Sequence, residues 1–325
     1  MSKISIAVVG TGAWGTALAS VISEAAQSRG ESVALIARDA ERAALLRASR
    51  ISPALPERAI PAMVTISHEV PGSADIVLMA CPLQHLRATL SRIPAGEAML
   101  VLCCKGVETG SFLLGPEIID QAQPGRPIAV LTGPNFAHEI AQNLPAAAVL
   151  ATRDPAWRAA LLGRLSTARL RLYGSADPMG CALGGAAKNV IALAAGAVMG
   201  AGLGENARAG LITRGIAEIS RLAPALGGSA ETIAGLAGLG DLILTATGGA
   251  SRNYRAGFAL GQGIAPQTSN AVIEGIATAP ALLARARAQG VEMPITEAVT
   301  DLLAGRIDVA AAMTRLLRRA PRDEL

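Results

Sequence analysis

The sequence predicts an α/β protein in two parts: a mainly parallel sheet covered by helices, followed by an all-helical half. Three observations predict it. Up to about residue 175, short apolar runs alternate with helix-like segments. A glycine-rich turn, beginning at Gly10, follows the first of these runs. From about Asp177 onward the strand signals stop, and long runs rich in Ala and Leu take over. Strands that are apolar throughout and alternate with helices belong to a parallel sheet buried on both faces.

The expected strands are Ile4–Val9, Val33–Ala37, Ile76–Ala80, Met99–Cys103, Ile128–Leu131 and Ala147–Ala151, with a last one around Arg169–Tyr173. Each is a short apolar run bounded by turn residues. Helical patterns such as Gly15–Ser28 and Ala40–Ala48 lie between them. In the second half the helical runs cover 181–201, 205–226, 229–237, 252–262, 269–290 and 295–303. Gly227-Gly228, Gly248-Gly249 and Pro294 punctuate them. The division falls at residues 1–176 and 177–325, with a shared interface in which a ligand cleft is expected.

Hydrophobic residues make up 51% and charged residues 17% of the chain, which allows a large core and excludes disorder. Aromatics are only 2%, so Ala, Leu, Val and Ile must build that core. The net charge of +4 is spread along the chain, apart from a short cluster at Arg315, Arg318, Arg319 and Arg322. No basic stripe with interleaved aromatics is present, so no nucleic-acid partner is expected. Scattered arginines suit a small anionic ligand such as a phosphate.

The four cysteines, Cys81, Cys103, Cys104 and Cys181, show no ligand spacing and read as buried free thiols of a reducing compartment. The histidines His68, His85 and His138 do not cluster, and no metal site is expected. The start runs into a strand without a signal peptide. The longest uncharged stretch, Asn189 to Gly204, falls short of the roughly 20 apolar residues of a membrane span. A soluble cytoplasmic protein without a span is the expectation.

Ile6-Ala-Val-Val-Gly10-Thr-Gly12-Ala13-Trp14-Gly15 places Gly-x-Gly-x-x-Gly between a strand and a helix. Gly10 permits the tight turn, Gly12 lets backbone approach a pyrophosphate, and Gly15 lets helix and strand pack closely. The helix N-terminus offers N–H groups and a positive dipole end. This context is that of a Rossmann-type dinucleotide site. The second strand ends Ala37-Arg38-Asp39. An arginine accommodates the 2′-phosphate of NADP and an acid bonds the ribose of NAD. Arg38 comes first, which favours NADP, and Asp39 leaves NAD open.

In Gly184-Gly-Ala-Ala-Lys188-Asn189-Val190 a lone lysine sits in an otherwise uncharged helix of small residues. Burial would lower its pKa and suit it to proton donation, whereas a lysine at a helix end can also simply extend to water. Gly235-Leu-Ala-Gly238-Leu-Gly240-Asp241-Leu-Ile-Leu-Thr245 brings a carboxylate on flexible backbone beside an apolar stretch. Ser251-Arg252-Asn253 reads either as a phosphate-gripping cluster or as an ordinary helix N-cap. Lys105-Gly106 follows a strand, where ligands of open α/β sheets bind. Gly200-Ala-Gly202-Leu-Gly204 follows a helical run and reads as close packing or a bend.

Taken together, several stretches are more specific than any one motif. They are Gly10–Ala19, Lys105-Gly106, Gly133-Pro-Asn-Phe-Ala137, Lys188-Asn-Val, Asn206–Gly215, Gly235–Thr245, Ser251–Asn253, Glu274-Gly275 and Gly290–Glu297. Through them the chain resembles bacterial NAD(P)-dependent glycerol-3-phosphate dehydrogenase over essentially its whole length. The resemblance implies reversible reduction of dihydroxyacetone phosphate to sn-glycerol 3-phosphate, feeding glycerophospholipid synthesis. It implies Lys188 as the proton-transferring residue, with Asp241 as a second catalytic group that orients either Lys188 or a substrate hydroxyl. It puts substrate contacts on Lys105, Gly133, Asn135, Lys188, Asp241, Ser251, Arg252 and Asn253. Cofactor contacts would fall on the Gly10–Gly15 loop with Ala13 and Trp14, and on Arg38, Lys105, Ala137, Arg252 and Glu274.

The chain departs from the family pattern at three positions. Asn135 replaces a small hydroxyl residue, His138 stands where a lysine is frequent, and Met199 stands where an acid is expected. The stretch Thr247-Gly-Gly-Ala250 is also bare of larger side chains. A related keto- or hydroxy-acid reductase and a non-catalytic NADP-sensing protein are the alternatives. The oligomeric state is left open, a homodimer included.

Overall fold

The computed structural model describes residues 4–265 and 272–318. Arg319, Arg322 and the first residues of the run at 269–290 lie outside the described residues. The first half holds β1 (Ile4–Val9), α1 (Ala13–Ser28), β2 (Ser32–Ile36), α2 (Ala40–Ser49), β3 (Ile51–Ser52), β4 (Leu55–Ala59), β5 (Thr65–Ser67) and β6 (Ile76–Met79). It continues with α3 (Leu86–Leu90), β7 (Met99–Leu102), α4 (Gly115–Ala122), β8 (Ile128–Thr132), α5 (Ala137–Ala141), β9 (Ala146–Ala151), α6 (Pro155–Leu165) and β10 (Leu170–Ser175). Eight of these strands form one sheet in the order β10-β9-β8-β7-β6-β1-β2-β5. Neighbours run parallel except β8 and β9, which pair antiparallel. The central strands are buried on both faces: Ile6, Leu35, Ile76, Leu78 and Leu100 have no exposure. That explains why they read as continuous apolar runs.

The second half holds α7 (Pro178–Gly200), α8 (Gly204–Ala225), α9 (Ala230–Ala234), α10 (Asp241–Ala246), α11 (Arg252–Gly261), α12 (Glu274–Ala288), α13 (Pro294–Leu303) and α14 (Val309–Leu317). Asp177 starts it. One carboxylate oxygen accepts from the Gly180 N–H (2.8 Å) and caps α7, while the other accepts from the Ser229 N–H (2.8 Å) and the Thr232 hydroxyl (2.7 Å). One acid therefore fixes the entry of α7 and the entry of α9 together.

Helix α7 is the axis around which the other helices pack. Its length and apolar composition would suffice to cross a membrane, contrary to the expectation from the sequence, but 94% of its apolar window is buried inside the protein. It is the core helix of this half. Small residues let α11 lie against it in backbone contact. A Cβ on Gly196 would come within 2.1 Å of the Tyr254 carbonyl, and one on Gly257 within 2.0 Å of the Leu193 carbonyl. The Gly200–Gly204 stretch does both things expected of it: Gly200 packs on Phe258 backbone, while Gly202 and Gly204 turn the chain at φ +72° and +85°.

Several elements differ from the sequence reading. The backbone before Asp241 is regular and not an open loop: Leu236–Gly240 forms one π-helical turn that leads directly into α10. The run at 229–237 breaks early, because Gly235 is extended at φ −89°, ψ −164°. The hairpin β3–β4, strand β5 and helix α14 have no counterpart in the sequence reading; the first two are too short to show a period. Cys103 and Cys181 are buried, but Cys81 and Cys104 are only half-buried, since both lie just past the ends of strands, where the sheet opens to the cleft.

Candidate active site

The site starts where strand order reverses: β1 has β2 on one side and β6 on the other. At its end Gly10 takes φ +119°, and a Cβ there would sit 2.7 Å from the Ala80 carbonyl oxygen. A Cβ on Gly15 would collide with the Gly10 carbonyl at 2.0 Å. Gly12 faces open space, with nothing within 4 Å of its Cβ position. No side chain caps α1, so the N–H groups of its first turn remain unclaimed. The Trp14 indole N–H is buried without a partner among the described residues. A cradle of backbone donors, shaped by glycine and flanked by an orphaned donor, fits a dinucleotide.

At the tip of β2 the acid is already engaged. Asp39 caps α2 by accepting from the Arg42 N–H (2.7 Å) with one oxygen, and its other oxygen pairs with Arg38 at 2.9 Å. The backbone bond to Arg42, working against burial and helped by Arg38, holds the Asp39 carboxyl below its ordinary value. Arg38 itself projects into solvent, with 85% of its side chain exposed. Ala137 opens α5 and packs with Ala13 and Trp14 on the core beneath the loop.

The charged cluster lies beyond the carboxyl ends of the strands. Lys188 comes from α7, Asp241 from the first residue of α10, and Lys105 from the loop after β7. Asp241 is 1% exposed. One of its oxygens accepts from the Lys188 ammonium and the other from Lys105 at 2.5 Å. Lys188 also donates to the Thr245 hydroxyl at 2.8 Å, and that hydroxyl donates to the Asp241 carbonyl at 2.6 Å. Burial, reinforced by Lys105 and opposed by Asp241, pulls the Lys188 pKa down to about 8. Burial works against the Asp241 charge, yet Lys105 and Lys188 outweigh it and hold the carboxyl below its ordinary value.

A second layer surrounds this cluster. Asn253 donates to Asn189 (2.9 Å) and accepts from the Gly275 N–H (2.9 Å), tying α11, α7 and α12 together. Ser251 caps α11 by accepting from the Tyr254 N–H at 3.2 Å, which realises the cap reading and leaves its hydroxyl proton to donate. Arg252, exposed in the first turn of α11, has no hydrogen bond or ion pair among the described residues. Glu274 opens α12; burial pushes its carboxyl up, while Lys105, Lys188 and Arg252 offset part of that rise. At the end of β8, Gly133 takes φ +147° against the Ala148 backbone. The Asn135 amide donates to the Ala147 carbonyl (3.2 Å), leaving its own buried oxygen without a partner.

The structure thus gathers Lys105, Lys188, Asp241 and Glu274 within electrostatic reach, with Arg252 acting on Glu274. Arg38 stands apart at the tip of β2. His85 and His138 are exposed and His68 is half-buried, with His138 stacked on Phe136 at 5.5 Å. Met199 is half-buried near the end of α7. Thr245 and Asn189 were given no role from sequence. Their only signal is spacing, one at i+4 from Asp241 on a helix and the other beside Lys188.

A doubly wound sheet with this glycine cradle, joined to a helical half that supplies a buried lysine, defines a nicotinamide-dependent oxidoreductase. Residues 5–158 match the family described as NAD-dependent glycerol-3-phosphate dehydrogenase N-terminus, and residues 177–314 match its C-terminus. A glycerol-3-phosphate dehydrogenase (NAD(P)+) of Acidiphilium cryptum strain JF-5 is 66% identical over 318 residues, covering 98% of both chains. One from Gluconobacter oxydans strain 621H is 48% identical over 328 residues, again covering 98% of each. The crystal structure of glycerol-3-phosphate dehydrogenase from Coxiella burnetii superposes with a TM-score of 0.89 at 35% identity, covering 98% of this chain and 100% of that one. The chain belongs to the NAD-dependent glycerol-3-phosphate dehydrogenase family.

Proposed function

We propose that this protein reversibly reduces dihydroxyacetone phosphate to sn-glycerol 3-phosphate with NAD(P)H, with NADPH preferred. Residues 1–176 would hold the cofactor and residues 177–325 the catalytic groups. The observation that carries this reading is the Asp241 carboxylate shared between two lysines at the sheet's carboxyl ends. A ketone reduction needs a proton donor for the forming alkoxide and positive charge for an anionic substrate. This cluster offers both.

The bound nicotinamide would supply the hydride, with its pyrophosphate on the Gly10–Gly15 loop beside Ala13 and Trp14, and Ala137, Lys105, Arg252 and Glu274 nearby. Lys188, its pKa brought near neutrality, donates the proton to the alkoxide and takes it back in the reverse direction. Asp241 keeps that ammonium aimed, and Thr245 fixes its second hydrogen bond. Arg252, without a hydrogen-bond or ion-pair partner among the described residues, is suited to grip the phosphate, with the Ser251 hydroxyl and the remaining Asn253 amide proton beside it. Asn135 presents an unpartnered amide oxygen where a hydroxyl residue is common, so it keeps the capacity to accept a hydrogen bond but with a longer reach. Asp39 is engaged both as a helix cap and by Arg38, while the Arg38 side chain is mostly exposed and can turn to a 2′-phosphate, which supports the NADPH preference. A cytoplasmic enzyme, assembled as a homodimer and supplying glycerophospholipid synthesis, completes the reading.

The test follows NADPH and then NADH absorbance after dihydroxyacetone phosphate is added, with unphosphorylated dihydroxyacetone as control. Oxidation that requires the phosphate supports the reading. Equal turnover of a keto acid, or binding of cofactor without any oxidation, would overturn it.

A further inference from the structure

The hairpin β3–β4 lies outside the main sheet and contributes nothing to the chemistry above. It is nevertheless anchored firmly. Leu55 is buried at 1% exposure, and the Arg50 guanidinium donates to the carbonyls of Ile60 (3.3 Å), Val64 (3.0 Å) and Pro61. What this anchoring secures is Ser52, which is fully buried. Its hydroxyl donates to the Thr11 carbonyl at 2.9 Å. Thr11 lies between Gly10 and Gly12, in the middle of the dinucleotide loop. The Thr16 hydroxyl approaches the same carbonyl from α1, at 3.5 Å.

A trans peptide is a rigid plane whose C=O and N–H point in opposite directions, and none of the described peptides is cis. Holding the Thr11 carbonyl against the hairpin therefore fixes where the Gly12 N–H points: away from the hairpin. No acceptor engages that N–H among the described residues. The Gly12 Cα borders open space, so an incoming group can come close. Glycine at position 12 gives this peptide more orientations than any other residue would allow.

We propose that Ser52 is a positioning residue for the dinucleotide: it holds the Thr11–Gly12 peptide so that the Gly12 N–H is presented to the pyrophosphate before the cofactor arrives. This rests on the cofactor reading above. Ser52 does not touch the cofactor. It removes the ordering that binding would otherwise have to supply, which is how preorganisation raises affinity. The effect belongs to the pyrophosphate and not to the adenosine end, so it is blind to the difference between NADPH and NADH.

The experiment is titration of Ser52→Ala with NADPH, NADH and 2′,5′-ADP, the last carrying the adenosine 2′-phosphate without a pyrophosphate. Loss of one orienting hydrogen bond should raise the Kd of both dinucleotides together by about three- to tenfold, with 2′,5′-ADP unchanged. Cofactor KM should rise while kcat at saturating cofactor holds. Unchanged dinucleotide Kd values would overturn the proposal. So would equal weakening of 2′,5′-ADP, which would mark the hairpin as general support. Should Ser52→Ala fail to fold, Ser52→Cys keeps the shape with a weak donor and must move the same ligands in the same direction. If wild-type protein binds neither dinucleotide, it is the cofactor reading that has failed.

Discussion

Lys188 and Asp241 meet in the buried centre of the molecule, 53 residues apart in sequence and in direct ion-pair contact. The second oxygen of Asp241 holds Lys105, so one buried carboxylate balances two ammonium groups. Burial, reinforced by the neighbouring Lys105 charge, lowers the Lys188 pKa, and two ammonium groups side by side suit the site to an anionic substrate.

Lys188→Ala should lower turnover by about two to four orders of magnitude, the usual worth of a positioned acid–base group. NADPH titration of the same variant should give an unchanged Kd. Turnover close to wild type would remove Lys188 from the proton-transfer role.

The pH profile follows from the Lys188 pKa of about 8. Reduction needs the ammonium, so its rate should fall as pH rises through about 8; oxidation needs the free amine and should rise over the same range. Lys105→Met removes one of the charges that lower this pKa, and the inflection should move upward. Both directions can be followed by cofactor absorbance between pH 6 and 10.

Asp241→Asn strands two ammonium groups in the interior. Breaking a buried pair by removing one partner costs about 3–5 kcal/mol, which thermal unfolding will register. Because Asp241 raises the Lys188 pKa, any residual activity should show its inflection below that of the wild type.

Glu218, 1% exposed on α8, accepts from the Ile295 N–H (2.5 Å) and the Thr296 N–H (3.3 Å) and so caps α13. Burial outweighs these bonds and the nearby Arg221, and pushes its pKa from 4.5 up to about 7. The folded state then holds a proton that the unfolded state releases near 4.5. Stability should fall as pH rises from about 4.5 through about 7, by on the order of 3 kcal/mol. In Glu218→Gln the melting temperature should be flatter across that interval; an unaltered slope would assign the proton elsewhere.

Arg38→Ala should weaken NADPH by about tenfold and leave NADH nearly unchanged, since only the former brings a 2′-phosphate to a guanidinium. Equal loss for both cofactors would place Arg38 on a group they share.

The β1–turn–α1 unit, the central strands and the long helices were legible because each is a local pattern. An apolar run, a glycine spacing or a helical period is complete within about 20 residues. Lys188 stood out because a lone charge in an apolar helix is an anomaly wherever it is read. The hairpin β3–β4 was not legible: two residues of strand carry no period, and its Arg50 clamp closes onto carbonyls 10 to 14 residues away. The glycines before Asp241 suggest conformational freedom in the sequence, but the structure uses them for close packing: a Cβ on Gly238 would meet the Ile233 carbonyl at 2.1 Å.

The sequence by itself determined the layered sheet, the glycine turn between β1 and α1 and the helical second half, and it singled out Lys188 as a charge out of place, because these follow from side-chain type and short-range spacing. Only the tertiary structure decided that Asp241 holds both lysines, that Asp39 is occupied as a helix cap and that Ser52 grips the nucleotide loop. Each of those is a contact between segments distant in sequence or a choice among competing hydrogen-bond partners. Burial and three-dimensional proximity settle such choices, and neither is written in any single stretch of chain.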